Sequence, residues 1–265
     1  MHSILFEGGG ITLYTYGLMI ALGVISGVAY MAIRGKREIG LTFDQANNLF
    51  LYIFISALVG GKLFLLFENT DRYLDDPMKL VSGSGFVFYG SFLFAVPTMI
   101  WFFKRNKLPV HQMLDIMAIT TCLVHMFGRV GCFFAGCCYG KPTESFLGIV
   151  FSDPSCTARP LETPLVPTQL LEAGYIGLII IFLLVVRSNK QFHGQMFLLY
   201  LILYAIGRYI LEFFRGDLVR GHIIENYLSN SQFIAILILV LALYYYRIWQ
   251  RKNIIQTKVR KSSVQ

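Results

Sequence analysis

Charge is what this sequence has least of. Only 14% of its 265 residues are Asp, Glu, Lys or Arg, whereas a soluble domain carries about 25%. A deficit of that size excludes a water-covered globule, because much of the surface has no polar side chains to present. The short alternating segments that build an outer-membrane barrel are missing too. So are a basic N-terminal stretch and a small-residue cleavage site, which argues against a removable secretory signal. The chain has no internal repeat and no low-complexity segment. Its five cysteines lack the histidine pair that would complete a regular zinc pattern.

What is present is apolar. Hydrophobic residues make up 55% of the chain, and the mean hydropathy is +0.60. Apolar runs fall at Ile11–Ile33, Ala46–Phe67, Phe86–Phe103, Gln112–Phe127, Glu172–Val186, Gln195–Phe214 and Phe233–Ile248. Each is read as a membrane span, the fourth and fifth being short, and each must be helical because an unpaired backbone amide in lipid costs several kcal/mol.

Charge asymmetry orients these spans. One set of alternate connections carries Arg34, Lys36, Arg37, Lys104, Arg105, Lys107, Arg187, Lys190 and a basic tail from Arg247, against only Glu38 and Asp44. The other set is acid-rich, so the positive-inside rule places the first set in the cytoplasm. The expected fold is an all-α membrane protein of about seven transmembrane helices, with the N-terminus outside and the C-terminus cytoplasmic. It forms one integral-membrane domain over residues 1–265. Two extracytoplasmic loops, at about 68–85 and 129–171, and a cytoplasmic tail from about 249 complete it. The net charge of +8 is then a topology signal and implies no nucleic-acid partner. The bilayer is the implied partner, and the tail rests on anionic headgroups.

Ionised groups at membrane depth are expensive and usually functional. Tyr204, Arg208, Glu212 and Arg215 recur at i, i+4, i+8 and i+11, on one helical stripe. A self-neutralising cluster that orders packing is one reading. The other is an anion site, since one carboxylate cannot neutralise two guanidiniums and the guanidinium fork suits phosphate oxygens.

A second cluster runs from Gly128 to Gly140 and includes Arg129, Gly131, Cys132, Cys137 and Cys138. Its glycines permit either tight helix contacts or a close approach to ligand. Arg129 at the lipid boundary favours a re-entrant or broken helix lining a wet cavity. Tyr16 and Tyr89 each precede a glycine near a span's outer end, where aromatic-belt anchoring competes with a binding role. Asp115 opens the fourth span and is expected to cap that helix or to serve the site. His125 is either a hydrogen-bonded structural residue or a proton carrier. For the external cysteines a disulfide joining Cys156 to Cys132, Cys137 or Cys138 is preferred to a redox or metal centre.

Taken in order, these motifs resemble the prolipoprotein diacylglyceryl transferase family. Tyr16-Gly17-Leu18-Met19 is similar to its early Tyr-Gly motif, and Phe88-Tyr89-Gly90 stands where the family has Phe-His-Gly-Gly. Asp115 matches the aspartate that opens the family's fourth span. Gly128-Arg129-Val130-Gly131-Cys132-Phe133 resembles Gly-Arg-x-Gly-Asn-Phe. Pro167-Thr168-Gln169-Leu170-Leu171-Glu172 resembles Pro-Ser-Gln-Leu-Tyr-Glu, and Arg208 through Arg215 resembles Arg-Phe-x-x-Glu-Phe-Phe-Arg. The departures are Cys132 for the signature asparagine, Cys137 for a glutamate and Tyr89 for the motif histidine.

The resemblance implies an inner-membrane, multi-pass enzyme. It would transfer the diacylglyceryl group of phosphatidylglycerol to the lipobox cysteine thiol of a preprolipoprotein. It assigns catalysis to Arg129, Arg208, Glu212 and Tyr89. Substrate binding falls to Tyr16, Gly131, Cys132, Gly140, Tyr204 and Arg215. It implies no metal and no organic cofactor. The competing functions are a family-fold transferase with another acceptor, a transporter for an anionic lipid or solute, and a thiol-redox protein.

Overall fold

The computed structural model describes all residues except 1–2, 9–10, 69, 71–72, 74–76, 83–86, 155, 217–221, 225–226 and 263–265. Asp71, Arg72, Asp75, Asp76, Asp217, Arg220 and Glu225, which belong to the acid-rich set of connections, lie outside the described residues, as does Phe86, where the third apolar run begins.

The elements in chain order are β1 (Ile4–Gly8), β2 (Ile11–Tyr14), α1 (Thr15–Ile39), α2 (Phe43–Glu68), α3 (Pro77–Ser82), α4 (Phe88–Arg105) and α5 (Val110–Ala135). They continue with β3 (Ile149–Val150), β4 (Pro164–Leu165), α6 (Thr168–Arg187), α7 (Gln195–Leu211), a 3-10 turn over Glu212–Phe214, β5 (His222–Ile224), β6 (Leu228–Ser229) and α8 (Asn230–Ser262). Six of these helices, α1, α2, α5, α6, α7 and α8, are long and apolar enough to cross a membrane. The chain is therefore a multi-pass membrane protein. The third expected run is the 18-residue helix α4, with Pro97 inside it and Lys104 and Arg105 in its last turn.

Several boundaries differ from expectation. Ile11–Tyr14 is not the start of a span but an edge of an antiparallel hairpin with β1, consistent with its β-branched Ile11 and Thr12. The fourth and fifth spans are not short. Helix α5 runs 26 residues to Ala135, and α6 starts at Thr168, so the segment from Arg129 to Ala135 and that from Thr168 to Leu171 are helix rather than loop. No break or re-entrant turn occurs at Arg129, because its flanking glycines are used for helix packing.

The chain forms two compact units. One comprises residues 30–113 and the other residues 1–29 and 114–265.

In the first unit, α2 packs along α4. Helix α2 begins with a reciprocal cap in which the Gln45 amide N–H donates to Thr42 Oγ1 (3.1 Å) and the Thr42 N–H donates to Gln45 Oε1 (3.0 Å), satisfying two otherwise orphaned donors. Gly60 and Gly90 bring the two backbones together. A Cβ at either position would strike the other glycine's carbonyl oxygen. Gly60→Ala is therefore expected to separate the helices and lower stability by about 1–3 kcal/mol, the usual cost of overpacking, readable as a reduced unfolding temperature in detergent.

In the second unit, the α7–α8 pair is pinned by Gln195 Nε2 donating to Tyr246 Oη at 2.9 Å. Helix α8 starts with a Ser229/Gln232 capping pair, both bonds 3.1 Å. Gly23 and Gly27 on α1 meet Val124 and Phe127 of α5 at contact distance, so the small residues serve close packing.

Asp115 caps a helix, but not its own. Its Oδ1 accepts from the Met196 and Phe197 amides (2.8 and 3.3 Å), and its Oδ2 accepts from Gly194 N (2.9 Å) and Lys190 Nζ (3.5 Å). The carboxylate thus neutralises the positive end of α7 and couples it to α5. Asp115→Asn turns one acceptor into a donor that faces an N–H. A stability loss of about 2 kcal/mol is expected, measured as a shift in the detergent unfolding midpoint.

Candidate functional site

The site is built in the unit of residues 1–29 and 114–265, from three helices of uneven sequence separation. Helix α5 places His125, Arg129 and Cys132 at i, i+4 and i+7 in its last turns, one face of a regular helix. Helix α6 brings Thr168, Gln169 and Glu172 in its first turns. Helix α7 contributes Tyr204 and Arg208. The chain then tightens into the 3-10 turn that holds Glu212, and it becomes extended at Arg215 (φ −71°, ψ 140°). The four-residue stripe therefore ends at Glu212 rather than running on to Arg215.

Glu172 is the centre of the first cluster. It is 1% exposed, and its Oε1 receives Arg129 Nη2 at 3.1 Å and the Tyr204 hydroxyl, which donates at 3.1 Å. Arg129 Nε donates to His125 Nε2 at 3.2 Å, and the His125 ring lies edge-on to Tyr204 with centroids 5.2 Å apart. His125 Nε2 sits 3.7 Å from Glu172 Oε1. Arg129 is thus paired with Glu172, and within the stripe Arg208 is paired with Glu212.

The Arg208–Glu212 pair spans 2.8 Å between Nη2 and Oε2, and the same Nη2 donates to Ser231 Oγ at 3.0 Å. Arg208 Nη1, by contrast, is buried and donates to no acceptor among the described residues. A buried guanidinium nitrogen without an acceptor is costly. His125 and Tyr204 each lie within electrostatic reach of both Arg129 and Arg208. Two guanidiniums thus face one small polar region, one of them with a donor still to place.

A second cluster sits at the end of α5. Gly136 (φ +70°) turns the chain back, and Gln169 Nε2 donates to the Cys137 carbonyl while Thr168 Oγ1 donates to the Cys138 carbonyl, both at 2.7 Å. This brings the sulfurs of Cys132, Cys137 and Cys138 within 4.8 Å of one another. Hydrogen bonds from Cys132 and Cys137, together with the Arg215 guanidinium, hold the Cys138 thiol well below the usual range, whereas the bond to Cys132 pushes Cys137 up. Gly140 pairs with Arg215 in an isolated bridge. A Cβ there would meet Val166 and the Phe214 carbonyl at 2.6–2.7 Å, so this glycine fixes the loop against the segment carrying Arg215.

Gly131 lets Tyr16 pack on α5, since its Cβ position lies 3.0 Å from Tyr16 Cδ2. Tyr16 is about half exposed. It lies within electrostatic reach of Arg129 and of Cys132, Cys137 and Cys138. Tyr89 lies in the unit of residues 30–113, exposed in the first turn of α4 beside the packing glycine Gly90.

The expected disulfide is not formed. All five cysteines are free, and Cys156 is 3% exposed in an apolar cluster with Phe151, Ala158 and Leu165. A thiol there is a small hydrophobe.

Sequence reasoning missed Glu172 and Ser231. The signal for Glu172 is its place at the end of the Pro167–Glu172 motif, an ionisable residue at the edge of an apolar run. Nothing in the sequence distinguishes Ser231 from other serines at helix starts.

A family model described as "Prolipoprotein diacylglyceryl transferase" matches residues 3–248. The chain is 35% identical to the phosphatidylglycerol–prolipoprotein diacylglyceryl transferase of Clostridium tetani (strain Massachusetts / E88), covering 94% of this chain and 98% of that protein. It is 34% identical to phosphatidylglycerol–prolipoprotein diacylglyceryl transferase 2 of Clostridium perfringens (strain 13 / Type A), with 96% and 97% covered. A third such transferase, from Dehalococcoides mccartyi (strain ATCC BAA-2266 / KCTC 15142 / 195), is 29% identical with 94% of each covered.

Proposed function

This chain belongs to the prolipoprotein diacylglyceryl transferase family, and on that footing we propose the chemistry that its own residues perform. The protein is a transferase that moves the diacylglyceryl group of phosphatidylglycerol to a prolipoprotein thiol. The acceptor is the lipobox cysteine of the signal peptide. A thiolate attacks the glyceryl carbon that bears the phosphate, the C–S bond forms, and the C–O bond breaks. The electron pair leaves with glycerol phosphate.

Charge therefore grows on a phosphate oxygen as the bond breaks, in a region of low dielectric where fixed donors act strongly. The observation that carries this reading is Arg208. Its Nη2 is held by Glu212 and Ser231, while the buried Nη1 has no acceptor among the described residues. A phosphate oxygen supplies that acceptor. Arg129, oriented by Glu172 and His125, is the second phosphate ligand. Glu212 positions Arg208. Tyr16 and Tyr204 hold the headgroup, and Arg215, Gly131, Gly140 and Cys132 shape the floor. With its Nε2 occupied by Arg129, His125 is a positioning residue.

The topology proposed is seven spans with the N-terminus outside the inner membrane and the C-terminus in the cytoplasm, as one membrane domain. Helix α4 is the seventh span. Its 18 residues reach about 27 Å, close to the thickness of a hydrocarbon core.

Purified protein given phosphatidylglycerol and a lipobox peptide should yield the thioether adduct, read by mass spectrometry as one diacylglyceryl unit on the cysteine. Absence of that product, under conditions where the Clostridium tetani relative forms it, would remove this substrate pair.

A further inference from the structure

The transfer reaction gives no chemical role to three thiol groups. Cys132, in the last turn of α5, and Cys137 and Cys138, in the loop beyond it, place their sulfurs within 4.8 Å of one another. A chain running straight on from the helix would not do this. Gly136 at φ +70° reverses it, and Cys138 at φ +63° adopts a conformation that non-glycine residues rarely occupy. Gln169 and Thr168 clamp the carbonyls of Cys137 and Cys138 from α6. The three sulfurs are thus presented by backbone that is fixed independently of any bound ligand, and none is oxidised to a disulfide.

The surroundings match in charge. Arg215 lies within electrostatic reach of Cys138, and Arg129 within reach of Cys132. Three thiolates around a divalent cation carry one net negative charge, beside which the Arg215 guanidinium is a favourable neighbour.

We propose that Cys132, Cys137 and Cys138 form a three-thiolate site for a soft divalent metal ion of the zinc type. Zinc–sulfur bonds of about 2.3 Å set tetrahedral sulfurs about 3.8 Å apart. The cluster reaches that spacing by sub-ångström adjustment of the side chains. Thiolates select such ions over magnesium or calcium.

Three protein ligands leave the fourth position of a tetrahedral ion open. Tyr16, Arg129 and Arg215 border the cluster. On the function proposed above, a fourth ligand here lies beside the groups assigned to the lipid substrate. The acceptor thiol fits that position. Its sulfur bonds to the metal and its proton passes to water, because a coordinated thiol is deprotonated outright. A lone pair of the same sulfur then forms the C–S bond, the C–O electron pair departs with glycerol phosphate, and the thioether leaves the metal.

Cobalt(II) titration of the protein, stripped of metal and kept reduced under nitrogen, tests this. One equivalent should bind with sulfur-to-cobalt charge-transfer absorption and tetrahedral visible bands. Cys137→Ser and Cys138→Ser should lose that absorption, and Cys122→Ser should keep it. X-ray absorption on the wild-type zinc form should count three sulfurs, rising to four with a lipobox peptide and staying at three when the peptide cysteine is serine. The wild-type spectrum decides the matter even if a variant misfolds. No charge-transfer band in the wild type overturns the metal site, and an unchanged sulfur count with peptide overturns the activating role. Neither readout needs turnover. Thioether formation without cobalt binding therefore refutes the site alone, and cobalt binding without thioether refutes the transferase reading alone.

Discussion

Arg208→Ala should lower kcat/KM for diacylglyceryl transfer by about 10³-fold, the scale for removing a preorganised donor from a developing anion. The variant keeps the helix, because alanine is the best helix former. It also takes from Glu212, which is 9% exposed, its 2.8 Å partner. Arg208→Lys separates charge from geometry. Lysine restores one positive charge but offers neither the fork that serves Glu212 and Ser231 with one nitrogen nor a second nitrogen aimed elsewhere. It should recover less than a tenth of the lost activity. Rates from a lipobox peptide in phosphatidylglycerol micelles, with thermal unfolding run in parallel, decide the point. Normal turnover by Arg208→Ala would remove the phosphate assignment.

Glu172→Ala is expected to have the largest effect on stability, about 3–5 kcal/mol. The substitution leaves Arg129 a buried charge without its counterion and takes the acceptor from the Tyr204 hydroxyl. Activity should fall with it, since Arg129 loses the group that aims it. Glu172→Gln distinguishes the two consequences. The amide oxygen still accepts from Tyr204 and from Arg129, so much of the geometry survives while the negative charge is lost. The expectation is a smaller drop in unfolding temperature than for alanine, with turnover still reduced. Equal unfolding temperatures for both variants and the wild type would show that Glu172 is not the hub of the cluster.

Much of the site was written locally. The i, i+4 spacing of Arg208 and Glu212 places their side chains together on any regular helix, and the pair is present at 2.8 Å. The same holds for His125 and Arg129. Period fails where the helix stops: the 3-10 turn at Glu212 swings Arg215 away from the stripe and toward Gly140 and Cys138. It also says nothing about partners across the fold. Asp115 is readable as a cap, but the N-cap residue it binds, Gly194, lies 79 positions later in sequence, and no local rule links the two.

By itself the sequence determined the membrane class, the helical spans, and the residue types that suit a phosphate, because those follow from hydropathy and from the cost of charge in lipid. Tertiary structure alone decided that Glu172 neutralises Arg129, that Cys156 is a packed thiol rather than half of a disulfide, and that three other thiols share one small volume. Pairing between distant segments depends on helix packing and backbone reversals such as that at Gly136. These are set by contacts across the whole fold and leave no mark on the spacing of residues along the chain.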